Sequence, residues 1–474
     1  MIDAGIGANS ASGGYEIDNS CKFEADNTEY LTQTPSSDSN RQKFTISLWV
    51  KRCELGSYQT LYGAQPSGGY SDANTFQFCF TPDDKLGLGL QTYWVFQTNR
   101  VFRDTSAWYH IVVRADTTQP FSHNRIRVYI NGVQDTSFST NALASIAEDQ
   151  LLGVNHTTRQ QIGSLIANSW HSSNYIADVN LIDGQSHAPS YFGEFDQDSG
   201  IWKAKEYTGT YGTNGFYLNF ENSSDLGEDQ SGNNNDWTLN NLTAADQSTD
   251  TPTNNFCTLN VIANLNALVY TEGGTVASTA SGGNVKYHAE ATMGFSSGKW
   301  YFEAYVTSGS TNDDAMFGFA RPGLHKGTGD HGPGNDTVSI GAHQIGRWYY
   351  NNQSITTTGM SGWDKADIVQ IAMDCDNGKA WQGVNGTYSS GNPSTNTGGF
   401  DWNSNVTDMA IGDLLIPVTR AMYTGPGTTY YNFGGYTKMS ISSAASDSNG
   451  YGTFEYAPPT GFYALCTKNL AEYG

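Results

Sequence analysis

Two stretches of the sequence decide the fold, and both end in Asn-Gly. Residues 125–133 are RIRVYINGV, and residues 379–387 are KAWQGVNGT. Each follows an apolar run, at residues 108–115 in the first half of the chain and at residues 368–374 in the second. Asn-Gly between extended segments is typical of a two-residue type I′ turn, because both turn positions need positive φ, which Asn and Gly tolerate best. The sequence therefore predicts two β-hairpins of the same design.

The rest of the chain also has the pattern of an all-β protein. Short alternating segments are separated by turn clusters such as PSGG at residues 66–69 and TPDD at residues 81–84. In FTISLWV, residues 44–50, apolar side chains alternate with Thr45 and Ser47, which predicts a half-buried strand. Many short strands at this spacing predict β-sandwiches. No window of useful length keeps the 3.6-residue apolar period of a helix.

Composition narrows the class of partner. The chain has 474 residues, 13% aromatic and only 15% charged, with a formal net charge of −22. A surface this acidic repels phosphate backbones, so we expect neither nucleic acid nor anionic membrane as a partner. The start of the chain lacks the basic and apolar regions of a secretory signal, and no apolar run is long enough to span a bilayer. We expect the six widely spaced cysteines to be buried thiols formed in a reducing cytoplasm.

The polar tract at residues 221–255 separates two domains in this interpretation. We predict an N-terminal arm or attachment segment at residues 1–14 and a first sandwich at residues 15–250. A linker follows at residues 251–265, and a second sandwich with a C-terminal tail occupies residues 266–474. The predicted fold is all-β, with two antiparallel sandwiches in tandem.

Both halves resemble known families. The first resembles the laminin-G-like, concanavalin A-like lectin domains common in phage structural proteins, and the second resembles SPRY domains, which are related sandwiches. The segments that carry the first resemblance are FTISLWVKR at 44–52, WYHIV at 108–112, VYING at 128–132 and YIADV at 175–179. Those that carry the second are GKWYFE at 298–303, DIVQIAMD at 367–374, DNGK at 376–379, NFG at 432–434 and PPTGFYALC at 458–466. Both sandwiches are thus expected to be concanavalin A-like, of the jelly-roll type.

The resemblance implies a structural phage virion protein, made in the host cytoplasm and exposed on the particle as a tail fibre, receptor-binding appendage or surface fibre. Its implied partners are other virion proteins and a host surface glycan, bound without catalysis, and trimers are common among fibre proteins. One alternative is a capsid or tail decoration protein that acts only through protein contacts. A second alternative is a polysaccharide depolymerase.

The sequence favours binding over catalysis. Relatives of the laminarinase type place three carboxylates on one strand in a Glu-x-Asp-x-x-Glu or Glu-x-Asp-x-Glu pattern. The nearest match here is EIDNSC at residues 16–21, in which Ser20 or Cys21 stands where the last carboxylate belongs. We therefore predict that the protein is not an enzyme.

Two groups of residues have side chains suited to metal. The acidic tract offers clustered hard oxygen donors for calcium, while Asp and Asn also favour turns, so a plain linker is the alternative. The tract's candidate ligands are Asp225, Asp229, Asn233, Asn235 and Asp236. His325, Asp330 and His331 in a Gly-rich loop form a second group, for which a solvated loop is the alternative.

Carbohydrate recognition combines aromatic faces with short polar side chains. The predicted glycan-binding residues lie in the second half, beside polar loop residues: Trp348, Tyr349, Tyr350, Trp363 and Trp402. In the first half Tyr93, Trp94, Trp170 and His171 meet the same description. For each of them a place in the core or at its rim is the alternative.

Overall fold

We analysed a computed structural model of the chain. It describes residues 14–66, 72–165, 170–263, 268–279, 286–308, 315–323, 332–355, 357–422 and 427–474. Two compact units divide between Thr253 and Asn254, and we call them the first and the second unit. The predicted N-terminal arm lies outside the described residues except for Gly14.

The first unit is built from short strands and a few 3-10 turns. Its strands are β1 (Ser20–Phe23), β2 (Tyr30–Gln33), β3 (Lys43–Arg52), β4 (Gln59–Ala64), β5 (Phe76–Phe80), β6 (Lys85–Leu90), β7 (Tyr93–Val101), β8 (Trp108–Asp116), β9 (Ile126–Ile130), β10 (Val133–Asp135), β11 (Phe138–Asn141), β12 (Gln160–Ile162), β13 (Asn174–Asp183), β14 (Gly193–Phe195), β15 (Trp202–Ala204), β16 (Phe216–Leu218), β17 (Thr238–Asn240) and β18 (Gln247–Ser248). The 3-10 turns are Ser122–Asn124, Leu143–Ser145, Pro189–Tyr191 and Ala244–Asp246.

Two antiparallel sheets enclose the core of the first unit. One has the order β10-β9-β8-β3-β13-β1-β18, with β16 also paired to β13, and the other has the order β11-β7-β6-β5-β4-β12-β2-β17. Alternate side chains of both sheets meet between them, among them Phe44 and Ile46 from β3 and Phe76 and Phe78 from β5. The first unit is therefore a β-sandwich, as its alternating pattern predicts.

The prediction that β3 is half-buried is wrong, because both of its faces are covered. Thr45, Ser47 and Lys51 on the face away from the core are fully buried. The Thr45 hydroxyl donates to the Gln185 carbonyl, and Lys51 pairs with Asp250 at 2.7 Å. The chain after β13 folds back over this face. The local sequence of β3 does not predict this contact, because it involves residues far away in the chain.

The second unit is also built from strands. They are β19 (Leu268–Thr271), β20 (Val276–Thr279), β21 (Lys286–Glu290), β22 (Lys299–Ser308), β23 (Met316–Ala320), β24 (Ser339–His343), β25 (Arg347–Tyr350), β26 (Gln353–Ile355), β27 (Ile368–Asp374), β28 (Lys379–Val384), β29 (Gly391–Asn392), β30 (Thr397–Gly398), β31 (Phe400–Asp401), β32 (Ile416–Met422), β33 (Thr428–Asn432) and β34 (Tyr463–Ala464). Helices α1 (Trp402–Asn405) and α2 (Thr467–Tyr473) and the 3-10 turns Val261–Ala263, Glu272–Gly274 and Pro393–Thr395 complete it.

The second unit has the same strand connections as the first. Its sheets have the orders β19-β20-β33-β22-β27-β28-β31 and β21-β32-β23-β24-β25-β26. In each unit a ten-residue strand is followed by a four-strand meander in the opposite sheet and then by the strands that lead into Asn-Gly. The last two matching strands, β12 and β13 or β32 and β33, return to the two sheets. The prediction of two all-β sandwiches is confirmed.

The residues of the predicted linker belong to the packed units as far as the structure describes them. Both backbone groups of Ile17 bond the Thr253 hydroxyl, at 3.1 and 2.8 Å, within the first unit. Within the second unit, Cys257 donates its backbone N–H to Leu465 at 3.0 Å, and Phe256 is buried. The chain is thus tied to a core on each side of the division at residue 253.

Candidate functional site

The candidate site is a group of three half-buried aromatic rings on the first unit, Tyr58, Trp94 and Trp170, which we call the aromatic patch. The centroids of Tyr58 and Trp170 lie 4.1 Å apart, with ring planes 15° from parallel. Trp94 lies 6.3 Å from Tyr58 and 6.2 Å from Trp170, again with nearly parallel planes. The three rings together form one stacked aromatic cluster.

The floor under the patch is made by small residues of β6. Leu86, Leu88 and Leu90 of this strand point into the core, so Gly87 and Gly89 face the opposite side of the sheet. A Cβ at Gly87 would lie 2.8 Å from the Trp94 ring, and a Cβ at Gly89 would lie 3.3 Å from it. The absence of side chains at Gly87 and Gly89 is what allows Trp94 to lie close to the sheet.

The loop that carries Tyr58 is held by a buried ion pair. Arg52 contacts Asp84 at 3.1 Å, and Asp84 also accepts the backbone N–H of Gly56 at 2.9 Å and the Arg103 guanidinium at 2.8 Å. Burial alone would raise the pKa of Asp84, but these hydrogen bonds and the charge of Arg52 outweigh it and lower the pKa. The carboxylate is therefore charged at neutral pH and fixes the position of the loop.

Trp170 is fixed from the other side by β4. Its carbonyl accepts the backbone N–H of Thr60 at 3.1 Å, and the hydroxyl of Ser172 donates to the Thr60 carbonyl at 2.6 Å. Trp170 has a φ of 68°, a conformation that bulky residues rarely adopt. Hydrogen bonds at Gly56, in the loop that carries Tyr58, and at Trp170 thus support the patch and preorganise these two rings.

The chemistry of the patch suits a neutral, partly apolar ligand. The parts of a stacked ring cluster that the neighbouring rings leave uncovered are apolar, and such aromatic surfaces pack on the C–H faces of sugar rings. Burial raises the pKa of Tyr58, with Cys79 and Asp83 adding to the effect, so its hydroxyl is neutral and can both donate and accept a hydrogen bond. An aromatic surface next to such a group is the combination expected for carbohydrate.

The predicted aromatic platform of the second unit is wrong for its tryptophans. Trp348 and Trp402 are completely buried, and Trp363 is 5% exposed and packs on Phe317. Tyr350 is also buried, and its hydroxyl is bonded to Thr407 at 2.6 Å. These side chains belong to the core of the second unit, because the polar residues beside them in sequence lie in turns while the rings point inward.

Tyr349 is the one residue of that predicted set with an accessible side. It is half-buried on the outer face of β25, where it stacks on His343 at 5.0 Å. Burial lowers the pKa of His343 to about 4, so the imidazole is neutral. The structure therefore brings Tyr349 together with a histidine and separates it from the other predicted glycan-binding residues.

Among the first-half candidates, the structure brings Trp94 and Trp170 together. Tyr93 packs against the core and the His171 ring packs at a tilt against Tyr30, so neither joins the patch. Sequence reasoning missed Tyr58, which lies 36 residues before Trp94 in the chain. The available signal was the pair Gly87 and Gly89 at alternate positions of a strand, which indicates that something large approaches the sheet there.

The acidic tract is a hydrogen-bonded loop. Asp229 accepts backbone N–H groups from Tyr217, Ser231 and Asn235 at 2.8 to 2.9 Å. Asp225 and Asp236 accept the backbone N–H groups of Gly227 and Asp229, while the amides of Asn233 and Asn235 donate to carbonyls that include Gly215. Calcium binding at Asp225, Asp229, Asn233, Asn235 and Asp236 stays a prediction. The carboxylate oxygens of the tract accept hydrogen bonds from backbone N–H groups, and they would have to reorient to coordinate a cation.

The other predicted sites give no assembled centre among the described residues. His325, Asp330 and His331 lie outside them. Glu16 and Asp18 are exposed and precede β1, so they are not on a strand. Across the part of the chain that the structure describes, no three His, Cys, Asp or Glu side chains are grouped as metal ligands, and no helix has the length and apolarity to cross a membrane. All six cysteines are buried free thiols.

A groove of about 950 Å³ lies elsewhere on the first unit, beside the hairpin of β14 and β15. Tyr129, Phe195 and Trp202 line it together with charged residues. Its Lys203 lies 3.6 Å from Glu194 and 3.4 Å from Asp196, so these charges are paired with one another. Since Lys203 is paired with two carboxylates of the groove, we place the candidate site at the aromatic patch.

Comparison with known proteins gives one family match. Residues 25–169 match the model of the concanavalin A-like lectin/glucanases superfamily of the laminin G type. This segment contains Tyr58 and Trp94. Among curated proteins, no sequence matches the chain.

Solved structures similar to the chain include two SPRY domains and a pentraxin. The SPRY domain of human HERC1 is 18% identical with a TM-score of 0.28, and the match covers 37% of this chain and 96% of that domain. A human SPRY domain is 15% identical with a TM-score of 0.26, covering 35% and 95%. The heptameric SAP-like pentraxin from Limulus polyphemus is 14% identical with a TM-score of 0.27, covering 37% and 80%. On the family match and the sheet architecture, the fold of this all-β chain is concanavalin A-like.

Proposed function

We propose that the protein binds surface carbohydrate without catalysis, through the aromatic patch of the first unit. The observation that carries the proposal is the arrangement of Tyr58, Trp94 and Trp170 as nearly parallel, half-buried rings. We expect the ligand to be a stretch of polysaccharide that packs on the uncovered parts of the three rings. The acidic surface favours a neutral or cationic polymer over an anionic one.

The proposal extends to the biological setting by sequence resemblance alone. We propose that the protein is a virion component that attaches a phage to its host, as a tail fibre, receptor-binding appendage or surface fibre, together with other virion proteins. In this proposal the second unit has no glycan site of its own on its buried tryptophans. A capsid or tail decoration protein that binds only other proteins is the competing function.

Binding to bacterial surface polysaccharides, measured with purified full-length protein on a glycan array, tests the first part. Trp94→Ala and Trp170→Ala should each weaken binding by about tenfold or more, because each removes a stacking surface. Phe121→Ala is the matched control, since Phe121 is 63% exposed and lies outside the patch. Full-strength binding by both tryptophan variants would contradict a site at the patch.

Two further measurements separate the competing functions. Release of reducing ends from a bound polysaccharide would overturn the non-catalytic assignment in favour of a depolymerase. Labelling the protein on purified particles should locate it at a tail tip or surface fibre. A regular position on the capsid lattice, combined with absence of glycan binding, would favour the decoration protein.

A further inference from the structure

A lysine and two carboxylates are buried together on the first unit, away from the aromatic patch. Lys22 is on β1, Glu29 immediately precedes β2, and Asp246 ends the 3-10 turn before β18. The Lys22 Nζ lies 3.1 Å from Glu29 Oε2 and 3.1 Å from Asp246 Oδ1. The exposed fractions of the three side chains are 0%, 3% and 6%. The three side chains form a closed ionic cluster inside the first unit.

The two carboxylates have different hydrogen-bond partners. Asp246 Oδ2 accepts the backbone N–H and the hydroxyl of Thr243, at 2.8 and 3.1 Å, which leaves Oδ1 facing the lysine. Glu29 Oε2 accepts the backbone N–H of Glu24 at 2.7 Å and faces the same amine. One oxygen of the Asp246 carboxyl group therefore faces the Lys22 amine, and the other accepts one N–H and one O–H from Thr243.

We propose that Lys22 and Asp246 join in an intramolecular amide bond, with Glu29 as the proton carrier. In this condensation Nζ of Lys22 forms a bond to Cγ of Asp246, the bond from Cγ to Oδ1 breaks, and Oδ1 leaves as water. The ammonium has three protons, of which one stays on the amide nitrogen and two leave in the water. No oxidant or other reactant is consumed.

Each step has a group in place to assist it. Glu29 takes a proton from the ammonium, which makes the amine nucleophilic, and returns it to the departing oxygen. Thr243 donates two hydrogen bonds to Oδ2, where negative charge develops when the amine adds. Burial raises the pKa of Glu29 to about 7, against the lowering effect of Lys22, so that near neutral pH this carboxyl group can hold or release a proton.

Burial also favours the product. A charged lysine and aspartate lose much of their solvation when they are buried, whereas the amide that replaces them is neutral. The bond would join β1 to the segment that leads into β18, whose strands already pair through Ser20 with Ser248 and Cys21 with Gln247. The last part of the first unit would then be closed covalently over the sheet.

The test is the intact mass of the denatured full-length protein, followed by sequencing of its tryptic peptides. We expect a mass one water below that of the sequence, and a branched peptide that contains both Lys22 and Asp246. Lys22→Arg and Glu29→Gln should have the full mass of their own sequences. Lys43 and Asp116 are the matched control pair, because they lie 3.7 Å apart with Lys43 38% exposed, and they should stay unlinked.

Two results would overturn the proposal. A wild-type protein of full mass excludes the bond, whether or not the variants fold. A water loss that maps to a single peptide, or to Lys51 and Asp250, excludes Lys22 and Asp246 as the linked pair. Neither result bears on glycan binding, which does not depend on this bond.

Discussion

The two Asn-Gly hairpins have the same turn, but a different aromatic side chain covers the turn glycine in each. Asn131 and Asn385 have φ values of 47° and 48°, and the following glycines have 79° and 82°. Each Asn bonds one residue of the neighbouring strand twice. Asn131 donates its backbone N–H to the His110 carbonyl and accepts the His110 N–H on its side chain, and Asn385 does the same with Ile368. The turn is thus part of the repeated scaffold.

The covers differ in how firmly they are held. Trp202 lies over Gly132, is 8% exposed, and donates its indole N–H to Nδ1 of His110 at 2.9 Å. Tyr456 lies over Gly386 and is half-buried, and its backbone N–H bonds Glu303 at 2.8 Å. The ring of Trp202 is fixed by a side-chain hydrogen bond in a buried site, whereas that of Tyr456 has a solvent-facing side into which it can move.

The outer faces of the four-strand meanders also differ between the two units. In the first unit the aromatic patch lies over Gly87 and Gly89. In the second unit a loop takes that place, and Gly334 in it donates its backbone N–H to Ser339 at 2.8 Å and accepts the N–H of Asn352. One scaffold therefore carries the aromatic patch over its meander in the first unit and a hydrogen-bonded loop in the second, so function is expected to differ between the units.

The largest effect is expected from replacing either turn glycine by valine. Gly132→Val and Gly386→Val each force a β-branched residue to positive φ and push a side chain into the covering ring. We expect losses of about 4 kcal/mol in the free energy of unfolding for Gly132→Val and about 3 kcal/mol for Gly386→Val, because Trp202 cannot move aside.

Pulsed hydrogen exchange along a urea series, read by mass spectrometry, gives the unfolding midpoint of each unit through its own peptides. Gly200→Val is the control, since Gly200 also has positive φ but nothing within 4 Å of its Cβ. An equal or larger loss for Gly386→Val would show that the hydrogen bond to His110 does not fix the cover.

The sequence predicted the scaffold and only part of the surfaces, for a physical reason. Period-two alternation and Asn-Gly turns are local properties, and they gave the sandwiches and hairpins correctly. Whether Trp348 faces the core or Trp94 faces solvent depends on which elements cover a strand. The cover of Thr45 comes from Gln185, 140 positions away, and the aromatic patch joins three separate segments. Such contacts have no signal at the residue itself.

A second difference between the units is how a buried carboxyl group is stabilised. Asp178, at the bulge of β13, accepts the Tyr15 hydroxyl at 2.9 Å, and burial raises its pKa to about 6. The pKa in the folded state lies above that in the unfolded state. The stabilising contribution is therefore complete below about pH 4 and falls as the pH rises through 6.

Between pH 4 and pH 7, the titration of Asp178 should lower the free energy of unfolding of the first unit by about 2 kcal/mol. Asp178→Asn should abolish this part of the decline. Glu303→Gln in the second unit is the comparison. Burial raises the pKa of Glu303, but backbone N–H groups of Glu455 and Tyr456 oppose the shift, so a smaller change is expected. The measurement is the urea midpoint of each unit at both pH values, with the labelling pulse kept at one pH. An unchanged slope for Asp178→Asn would contradict the assignment.

Asn131→Ala and Asn385→Ala test whether the turns are equivalent. Each substitution removes a hydrogen bond to a backbone N–H, of 2.8 or 2.9 Å, and places alanine at positive φ. Asn385→Ala also removes a solvent-exposed hydrogen bond to Asp367, which adds little to stability. We expect equal losses of about 2 kcal/mol in the two units. Asn131→Gly and Asn385→Gly should recover roughly half of the loss by relieving φ alone. Losses that differ between the units by more than about 1 kcal/mol would show that the covers, not the turns, decide hairpin stability.

The smallest effect on stability, with a large effect on binding, is expected at the floor of the aromatic patch. Gly87→Ala puts a Cβ 2.8 Å from the Trp94 ring and must lift it, whereas the 3.3 Å contact at Gly89 asks only a small shift. Because Trp94 is half-buried, it can move outward, and the cost in stability should stay below about 1 kcal/mol.

Glycan binding should nevertheless be weakest for Gly87→Ala, stronger for Gly89→Ala and strongest for the wild type, since stacking depends on the three rings staying nearly parallel. The affinities of the three proteins for one polysaccharide, with the unfolding midpoint of the first unit as the companion measurement, decide the point. If Gly87→Ala binds like wild type while the Trp94 ring is displaced, the ligand stacks on Tyr58 and Trp170 alone. If Trp94→Ala also binds normally, the aromatic rings of the first unit serve to cover its sheet, as the loop containing Gly334 does in the second.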